Sequence, residues 1–334
     1  MNTNKTPWHL HPPAFTEIEQ AAARIQGVLR ETPLLESERL NRRFGGRLLV
    51  KAEGLQQTGS FKARGAWNRL SLLAPAERER GVATFSSGNH GQAVAWAAQR
   101  LGIRRAVVVM PSDAPARKIE ATRSWGGEVV LYDRIREDRE AIGRALAQEQ
   151  GLALVPPYDD RRVVAGAGTL GLEVARQAER LDAKPDLMLV SCSGGGLTAG
   201  CILAWEALLP LSKVWAVEPQ AFDDTARSLA AGKRVANRPG ARSICDSVLA
   251  QMPGVLTFPI NAPRLGGVAL VSDDEALEAM RVAFAEFGLV AEPGGVMPLA
   301  AVMSGQVPVE DRCTVLVLSG ANVDPDVFAK ALAI

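Results

Sequence analysis

The run D-L-M-L-V-S-C-S-G-G-G-L-T-A-G, residues 186–200, decides how the chain is read. Its first half is short, apolar and suited to a buried strand, and it stops at small polar residues and three glycines. From residue 197 to 209 apolar residues recur at helical spacing instead. A strand that passes through Ser193-Gly194-Gly195-Gly196-Leu197 into a helix brings several backbone N–H groups to one point. Glycine permits the sharp turn, and the helix N-terminus adds partial positive charge. Such a loop suits a phosphate held without a lysine, because G-x-x-x-x-G-K-[ST] is absent. Taken alone, it reads equally well as a plain glycine turn.

The same alternation extends outward. Residues 47–52, 82–87, 105–111, 127–132, 213–219 and 314–320 read as strands; 89–101, 115–125, 134–150, 169–181 and 273–287 read as helices. Strand–helix alternation predicts an α/β fold with parallel sheets covered on both faces. Three of the strands run into Ser86-Ser87-Gly88-Asn89, Ser193-Gly194-Gly195-Gly196 and Ser319-Gly320. Ligands of open α/β sheets bind beyond the carboxyl ends of strands, so these loops are expected to share one site. At 334 residues the chain fits two domains or one large α/β unit, and no linker is visible, so domains should be interwoven rather than tandem.

Composition narrows the function classes. Thirty-eight basic residues against 37 acidic ones leave a net charge of +1, with no field to gather nucleic-acid phosphates. No apolar run is long enough to cross a membrane. The polar, proline-rich start, M-N-T-N-K-T-P-W-H-L-H-P-P, is unlike a secretory signal. Cys192, Cys201, Cys245 and Cys313 are scattered, with no C-x-x-C, as in a reduced cytoplasmic protein.

Two further motifs carry chemistry. In Thr58-Gly59-Ser60-Phe61-Lys62-Ala63-Arg64-Gly65-Ala66, a lysine between an aromatic residue and a helix start suits an amine in a dry pocket. Desolvation lowers such a pKa, as a Schiff-base nucleophile requires; alone, the same lysine is more often solvated. In Ser86-Ser87-Gly88-Asn89-His90-Gly91-Gln92, two hydroxyls, an amide and an imidazole could bind a carboxylate, although a lone histidine is more often structural. Gly166-Ala167-Gly168-Thr169-Leu170-Gly171 matches G-x-G-x-x-G, with Asp186 twenty residues after Gly166. The approach to it, Pro156-Pro157-Tyr158-Asp159-Asp160, is loop chemistry rather than a strand, so it reads as a helix start and not a dinucleotide site.

Together, S-F-K-x-R-G-A, S-S-G-N-H-G-Q-A and S-G-G-G-L resemble the fold-type II pyridoxal-phosphate enzymes, specifically the serine racemase and threonine/serine dehydratase group. The resemblance runs from about Thr32 to Asn322. It implies a tryptophan synthase β-like α/β fold of two open twisted domains with the cofactor between them. Residues 1–74 and 157–334 would form the larger domain, and 75–156 a small mobile one. Lys62 would carry pyridoxal 5'-phosphate and move the Cα proton, Phe61 would pack on the ring, and Asn89 would bond its phenolic oxygen. The backbone of Ser193, Gly194, Gly195, Gly196 and Leu197 would hold the phosphate, and Ser319 would face the pyridine nitrogen. Ser86, Ser87, Asn89 and His90 would surround the substrate carboxylate, with Ser87 also the opposite-face acid/base of the racemases. A serine cannot hold a proton on the pyridine nitrogen as a carboxylate would, which weakens the electron sink and favours β-elimination.

Glu218-Pro219-Gln220-Ala221-Phe222-Asp223-Asp224 resembles the divalent-cation site of the metal-binding members. Glu218 and Asp224 would offer carboxylates and Phe222 its backbone carbonyl to Mg²⁺, Ca²⁺ or Mn²⁺; otherwise the segment is an acidic surface turn. Phe222 departs from the small residue usual there. Ser193 replaces a fourth glycine, Ser247 stands where glycine is common, and 156–160 looks more like the dehydratases. Arg139 falls roughly at a substrate-side arginine of the racemases, with Arg134 and Arg136 close enough to confuse the register. No room for a C-terminal allosteric domain is expected. The resemblance thus implies a homodimeric ammonia-lyase acting on a small β-hydroxy amino acid, threonine or serine by default, with phenylserine and 3-hydroxyaspartate open. An amino acid racemase on the same scaffold is the alternative; a silent ligand-binding paralogue and a nicotinamide oxidoreductase are the remote ones.

Overall fold

The computed structural model describes residues 10–334; the polar start, including His9, lies outside the described residues apart from 10–13. Two sheets organise the chain. The larger has the order β1-β2-β10-β7-β8-β9, from Leu34–Glu36 (β1), Arg47–Ala52 (β2), Leu187–Ser191 (β7), Lys213–Pro219 (β8), Gly267–Val271 (β9) and Cys313–Leu318 (β10). The smaller has the order β5-β4-β3-β6, from Val82–Phe85 (β3), Ala106–Pro111 (β4), Gly127–Tyr132 (β5) and Ala153–Leu154 (β6). All pairs are parallel except β1 with β2. The chain enters the large sheet, leaves to build the small one, and returns, which is the interweaving expected from the missing linker.

All seven expected strands form, 47–52, 127–132 and 213–219 with the expected bounds and the others with ends shifted by one or two residues. Three were not foreseen: β1, β6 and β9, of which β6 has only two residues and β9 begins on glycine. Helices at Asn89–Arg100 (α5), Gly196–Leu208 (α9) and Asp273–Phe287 (α12) lie where the periodicity placed them. Residues 134–138 are not helical; α7 (Arg139–Gln150) begins where Asp138 caps the N–H groups of Glu140 and Ala141. Buried apolar side chains pack in several clusters, and Leu189, Val217, Leu277, Val296 and Leu316 belong to the one that covers a face of the large sheet.

The G-x-G-x-x-G stretch lies inside α8, Arg161–Arg180, rather than at a helix start. Asp160 accepts from the N–H groups of Arg162 and Val163, so the helix begins five residues before Gly166. These glycines serve close packing. A Cβ on Gly166 would come within 2.6 Å of the Arg64 carbonyl oxygen, and one on Gly168 within 2.9 Å of the Gly200 carbonyl oxygen. They allow α3 (Lys62–Ser71) and α9 to press against α8, and no strand leads into them.

Candidate active site

The three strand-end loops meet in one cavity, which every residue expected at the cofactor and substrate lines: Phe61, Lys62, Ser86, Ser87, Asn89, His90, Ser193 to Leu197, and Ser319. The segment that bears Lys62 is tied directly to the loop of Ser319 and Gly320. The Phe61 N–H donates to the Ser319 carbonyl at 3.0 Å, and Ser60 forms an antiparallel bridge with Gly320.

The glycine loop after β7 is held from behind. Gly194 O accepts from the Gly254 N–H at 3.2 Å and from the Thr257 hydroxyl, and Gly195 O accepts from Asn261 Nδ2 at 3.2 Å. Asp159 fixes that supporting segment by accepting from the N–H groups of Val255 and Leu256 at 2.7 and 3.0 Å. A trans peptide points its N–H opposite its C=O. Anchoring the carbonyls of Gly194 and Gly195 therefore turns the N–H groups of Gly195 and Gly196 the other way, at the start of α9. Gly195 has φ +85°, a left-handed conformation that favours glycine. A Cβ on Gly194 would strike the ring of Tyr158, and one on Gly196 would come within 2.9 Å of Tyr158 Cβ.

Lys62 opens α3, and its Nζ donates to the Pro157 carbonyl at 2.9 Å. The Phe61 ring centroid lies 5.1 Å from Nζ. Burial, and then the charge of Arg139, lower the Lys62 pKa to about 8, which leaves a substantial free-amine fraction near neutrality.

The Ser86–His90 loop joins β3 to α5. Ser86 Oγ accepts from the Gly88 N–H at 3.0 Å, and Ser87 Oγ donates to the Asp246 carbonyl at 3.1 Å. Asn89 Nδ2 donates to Glu292 at 2.5 Å, while its Oδ1 accepts from Asn322 at 3.0 Å. The amide is thus oriented by both neighbours. His90 Nε2 lies 3.1 Å from the Val155 carbonyl, which can only accept, so this nitrogen carries the proton. Burial, with Lys62 nearby, pulls the His90 pKa down to about 3, so the ring is neutral at physiological pH.

Several side chains at the site were not read from the sequence. Glu292, at the N-cap of α13 (Pro293–Met303), holds Asn89 and receives the buried Lys118 Nζ at 2.8 Å. Lys118 also approaches Asp246, at 3.4 Å, and Arg134 reaches the same carboxylate at 3.0 Å. These contacts join the small-sheet segment to the large one across the cavity. The register of the three arginines resolves: Arg139 lines the cavity, Arg134 pairs with Asp113 and Asp246, and Arg136 faces solvent beside Asp133. Tyr158, pushed up to about 12 mainly by burial, stays protonated beside Arg139. No motif marks Glu292 or Lys118, because their partners lie far away in sequence.

Glu218, Phe222 and Asp224 are not part of this cavity. Glu218 sits near the end of β8 and Asp224 opens α10, Asp224–Ala231. Both carboxyls are buried, and their pKa values are pushed up by burial, that of Glu218 also by the charge of Asp224. Glu218 accepts from the N–H groups of Thr225 and Ala226, at 2.9 and 3.0 Å. Asp224 Oδ1 accepts from Asn237, and Oδ2 is buried without a partner. Among the described residues no group of three His, Cys, Asp or Glu side chains gathers as a metal cluster.

The cavity thus offers a desolvated amine at one wall, a backbone anion cradle at another, and Ser319 at a strand end between them. A family model described as pyridoxal-phosphate dependent enzyme matches residues 25–320. The chain belongs to this family. It is 40% identical over 319 residues to an L-threo-3-hydroxyaspartate ammonia-lyase of a Pseudomonas species, covering 96% of this chain and 98% of that one. It is 36% identical to the serine racemase of Schizosaccharomyces pombe over 96% of this chain and 98% of the relative. The crystal structure of a T.th. threonine deaminase superimposes with a TM-score of 0.87 at 43% identity, covering 93% of this chain and 99% of that one. The residues present fit the cofactor: besides the cradle and the amine, the Ser191 hydroxyl beside the cavity is buried without a protein partner. A buried hydroxyl with no partner costs about 1–3 kcal/mol, which a bound polar ring or phosphate would remove.

Proposed function

We propose that this chain is an ammonia-lyase that removes water and then ammonia from a β-hydroxy amino acid, with L-threo-3-hydroxyaspartate the preferred substrate. The observation that carries the substrate is Arg139. It lines the cavity close enough to Lys62 to depress its pKa and neighbours Tyr132 and Tyr158, while the adjacent Glu140 carboxylate pairs with Arg144 and no described carboxylate pairs with Arg139 itself. A guanidinium in a half-buried pocket without an anion suits a second substrate carboxylate, bound by two parallel hydrogen bonds. The name of the Pseudomonas relative supports the same substrate.

Lys62, Phe61, Asn89, the Ser193–Leu197 backbone and Ser319 would hold pyridoxal phosphate. When bound, that cofactor supplies an electron sink conjugated with the substrate Cα. The loop bearing Ser86, Ser87, Asn89 and His90 receives the α-carboxylate. Neutral His90 adds no charge there, leaving recognition to the hydroxyls and N–H groups. Lys62 Nζ takes the Cα proton, the β-hydroxyl leaves as water, and the released enamine hydrolyses to a 2-oxo acid and ammonia. From 3-hydroxyaspartate the product is oxaloacetate.

Elimination is favoured over racemisation by the hydrogen bond of Ser87. Its hydroxyl hydrogen is committed to the Asp246 carbonyl, whereas an opposite-face acid must offer that hydrogen to Cα. Chiral analysis of recovered substrate, alongside the 2-oxo acid assay, distinguishes the two. Turnover to the D-isomer faster than to the oxo acid would overturn this reading.

A divalent cation, Mg²⁺ first, is proposed at Glu218, Asp224 and the Phe222 carbonyl. Two adjoining buried carboxyls and the unpartnered Asp224 Oδ2 support it, since a hard cation relieves both their repulsion and their desolvation. Residues 75–156 are read as a small domain whose Lys118 and Arg134 latch onto Glu292 and Asp246. The four free cysteines support a cytoplasmic setting, and a homodimer follows from the resemblance.

A further inference from the structure

Lys62 and the glycine cradle share one short support, residues 157–160, which lead into α8. The Pro157 carbonyl accepts from Lys62 Nζ at 2.9 Å. The Tyr158 ring fills the space beside the cradle, where a Cβ on Gly194 would strike it. Asp159 turns both carboxylate oxygens to the segment behind the cradle, Oδ2 accepting from the Val255 N–H at 2.7 Å and Oδ1 from the Leu256 N–H at 3.0 Å. That segment comes so near that a Cβ on Gly254 would strike Asp159 Oδ1. Asp160 faces the other way, accepting from the N–H groups of Arg162 and Val163 and from Arg69 Nε at 3.0 Å. Asp159 itself is not part of the cavity lining.

From Leu256 the chain passes straight into α11, Thr257–Asn261. The first and last residues of α11 are the two side chains that hold the Gly194 and Gly195 carbonyls, and the Gly254 N–H holds Gly194 as well. We propose that Asp159 is a positioning residue for the cofactor phosphate. It sets the 254–256 backbone, which places Thr257 and Asn261, and these turn the N–H groups of Gly195 and Gly196 toward the phosphate. Pro157 lies two residues earlier, so at most about 7 Å of chain separates the rest of the Lys62 amine from the support of the cradle. A carboxylate suits this post because two N–H donors meet two acceptor oxygens. An asparagine offers one oxygen, and its NH₂ group would face the second donor. The inference rests on the glycine loop being the phosphate seat and does not depend on which amino acid the enzyme consumes.

The test compares two probes, pyridoxal phosphate and pyridoxal, which has the same ring and aldehyde without the phosphate. Each is titrated into intact apo-protein, and its Kd is read from the visible absorbance that develops. The wild type should prefer pyridoxal phosphate. Asp159→Ala should raise the Kd for pyridoxal phosphate at least about tenfold and that for pyridoxal less than about threefold, because the two lost hydrogen bonds support the phosphate alone. Asp159→Asn keeps one bond and should fall between, and it decides the case if Asp159→Ala does not fold. Asp160→Ala controls for general loosening: it removes the α8 cap and the Arg69 pair, so it should lower the melting temperature and leave the preference within about twofold. A preference retained in the Asp159 variants, or lost equally in Asp160→Ala, would overturn this proposal alone. A wild type that binds both probes equally would refute the phosphate seat and the proposal with it.

Discussion

Replacing Gly195 by alanine should weaken cofactor binding far more than it weakens the fold. Gly195 has φ +85°, and an added methyl would stand 2.6 Å from Asn261 Nδ2 and 3.1 Å from Thr257 Oγ1. The left-handed conformation costs an alanine about 1–2 kcal/mol. Displacing Asn261 forfeits its bond to the Gly195 carbonyl, worth about 0.5–1.5 kcal/mol. The combined cost of about 1.5–3.5 kcal/mol is borne by the conformation that aims the N–H groups at the phosphate, so the Kd for pyridoxal phosphate should rise roughly 10- to 300-fold. The assay is a titration of apo-protein with the cofactor, read by its visible absorbance. Gly232→Ala is the control, because Gly232 has φ +64° with open space around its Cβ and lies outside the cavity. It should lower melting by a similar conformational cost and leave the Kd unchanged. If Gly195→Ala bound the cofactor within twofold of wild type, the view that Asn261 and Thr257 shape a tight phosphate cradle would be wrong.

Other consequences are as direct. Lys62 has a folded pKa of about 8 against an ordinary 10.5, so the unfolded chain binds more protons between these values. Cofactor uptake by apo-protein should therefore quicken through a single step near pH 8, and apo-protein stability should rise with pH across the interval up to 10.5; uptake that is flat from pH 7 to 9.5 would contradict the buried amine. The raised pKa values of Glu218 and Asp224 mean that, without a cation, stability is lost as pH rises above the ordinary carboxylate range. Mg²⁺ should then stabilise the protein more at pH 8.5 than at pH 6, and Glu218→Ala or Asp224→Ala should abolish the effect; melting curves with and without chelator at both pH values decide it. Arg139→Gln should cut kcat/KM for L-threo-3-hydroxyaspartate by about 10- to 100-fold, the worth of a charge-assisted pair, and change that for L-serine much less. Equal losses on both substrates would assign Arg139 to the Lys62 environment rather than to the second carboxylate.

Much of this was legible in the chain because the three motifs are local. Each is a strand followed at once by a loop and a helix start, and period-2 and period-3.6 patterns expose such units within fifteen residues. The lysine, the glycine cradle and the serine–asparagine loop therefore fell in one cavity as expected. Residues whose value lies in long-range partners stayed hidden. Glu292 looks like any helix N-cap until Asn89 and Lys118 are seen on its two oxygens. Asn261 and Thr257 look like ordinary polar residues until they are found behind the glycines. The glycine pattern at 166–171 misleads for the opposite reason: a local signature there serves helix packing at Arg64 and Gly200, which no local reading distinguishes from a nucleotide turn.

The central claim is that Lys62 and the three loops form a pyridoxal-phosphate site that eliminates water from a β-hydroxy amino acid. One cuvette tests it: the visible spectrum of purified protein, before and after L-threo-3-hydroxyaspartate, L-serine and L-threonine in turn, with 2-oxo acid and ammonia assayed at the end. The account predicts a visible cofactor band that Lys62→Ala lacks, and equimolar oxo acid and ammonia, formed fastest from 3-hydroxyaspartate. A wild type that stays colourless with added cofactor, or one that is coloured yet releases neither product from any of the three, would contradict it.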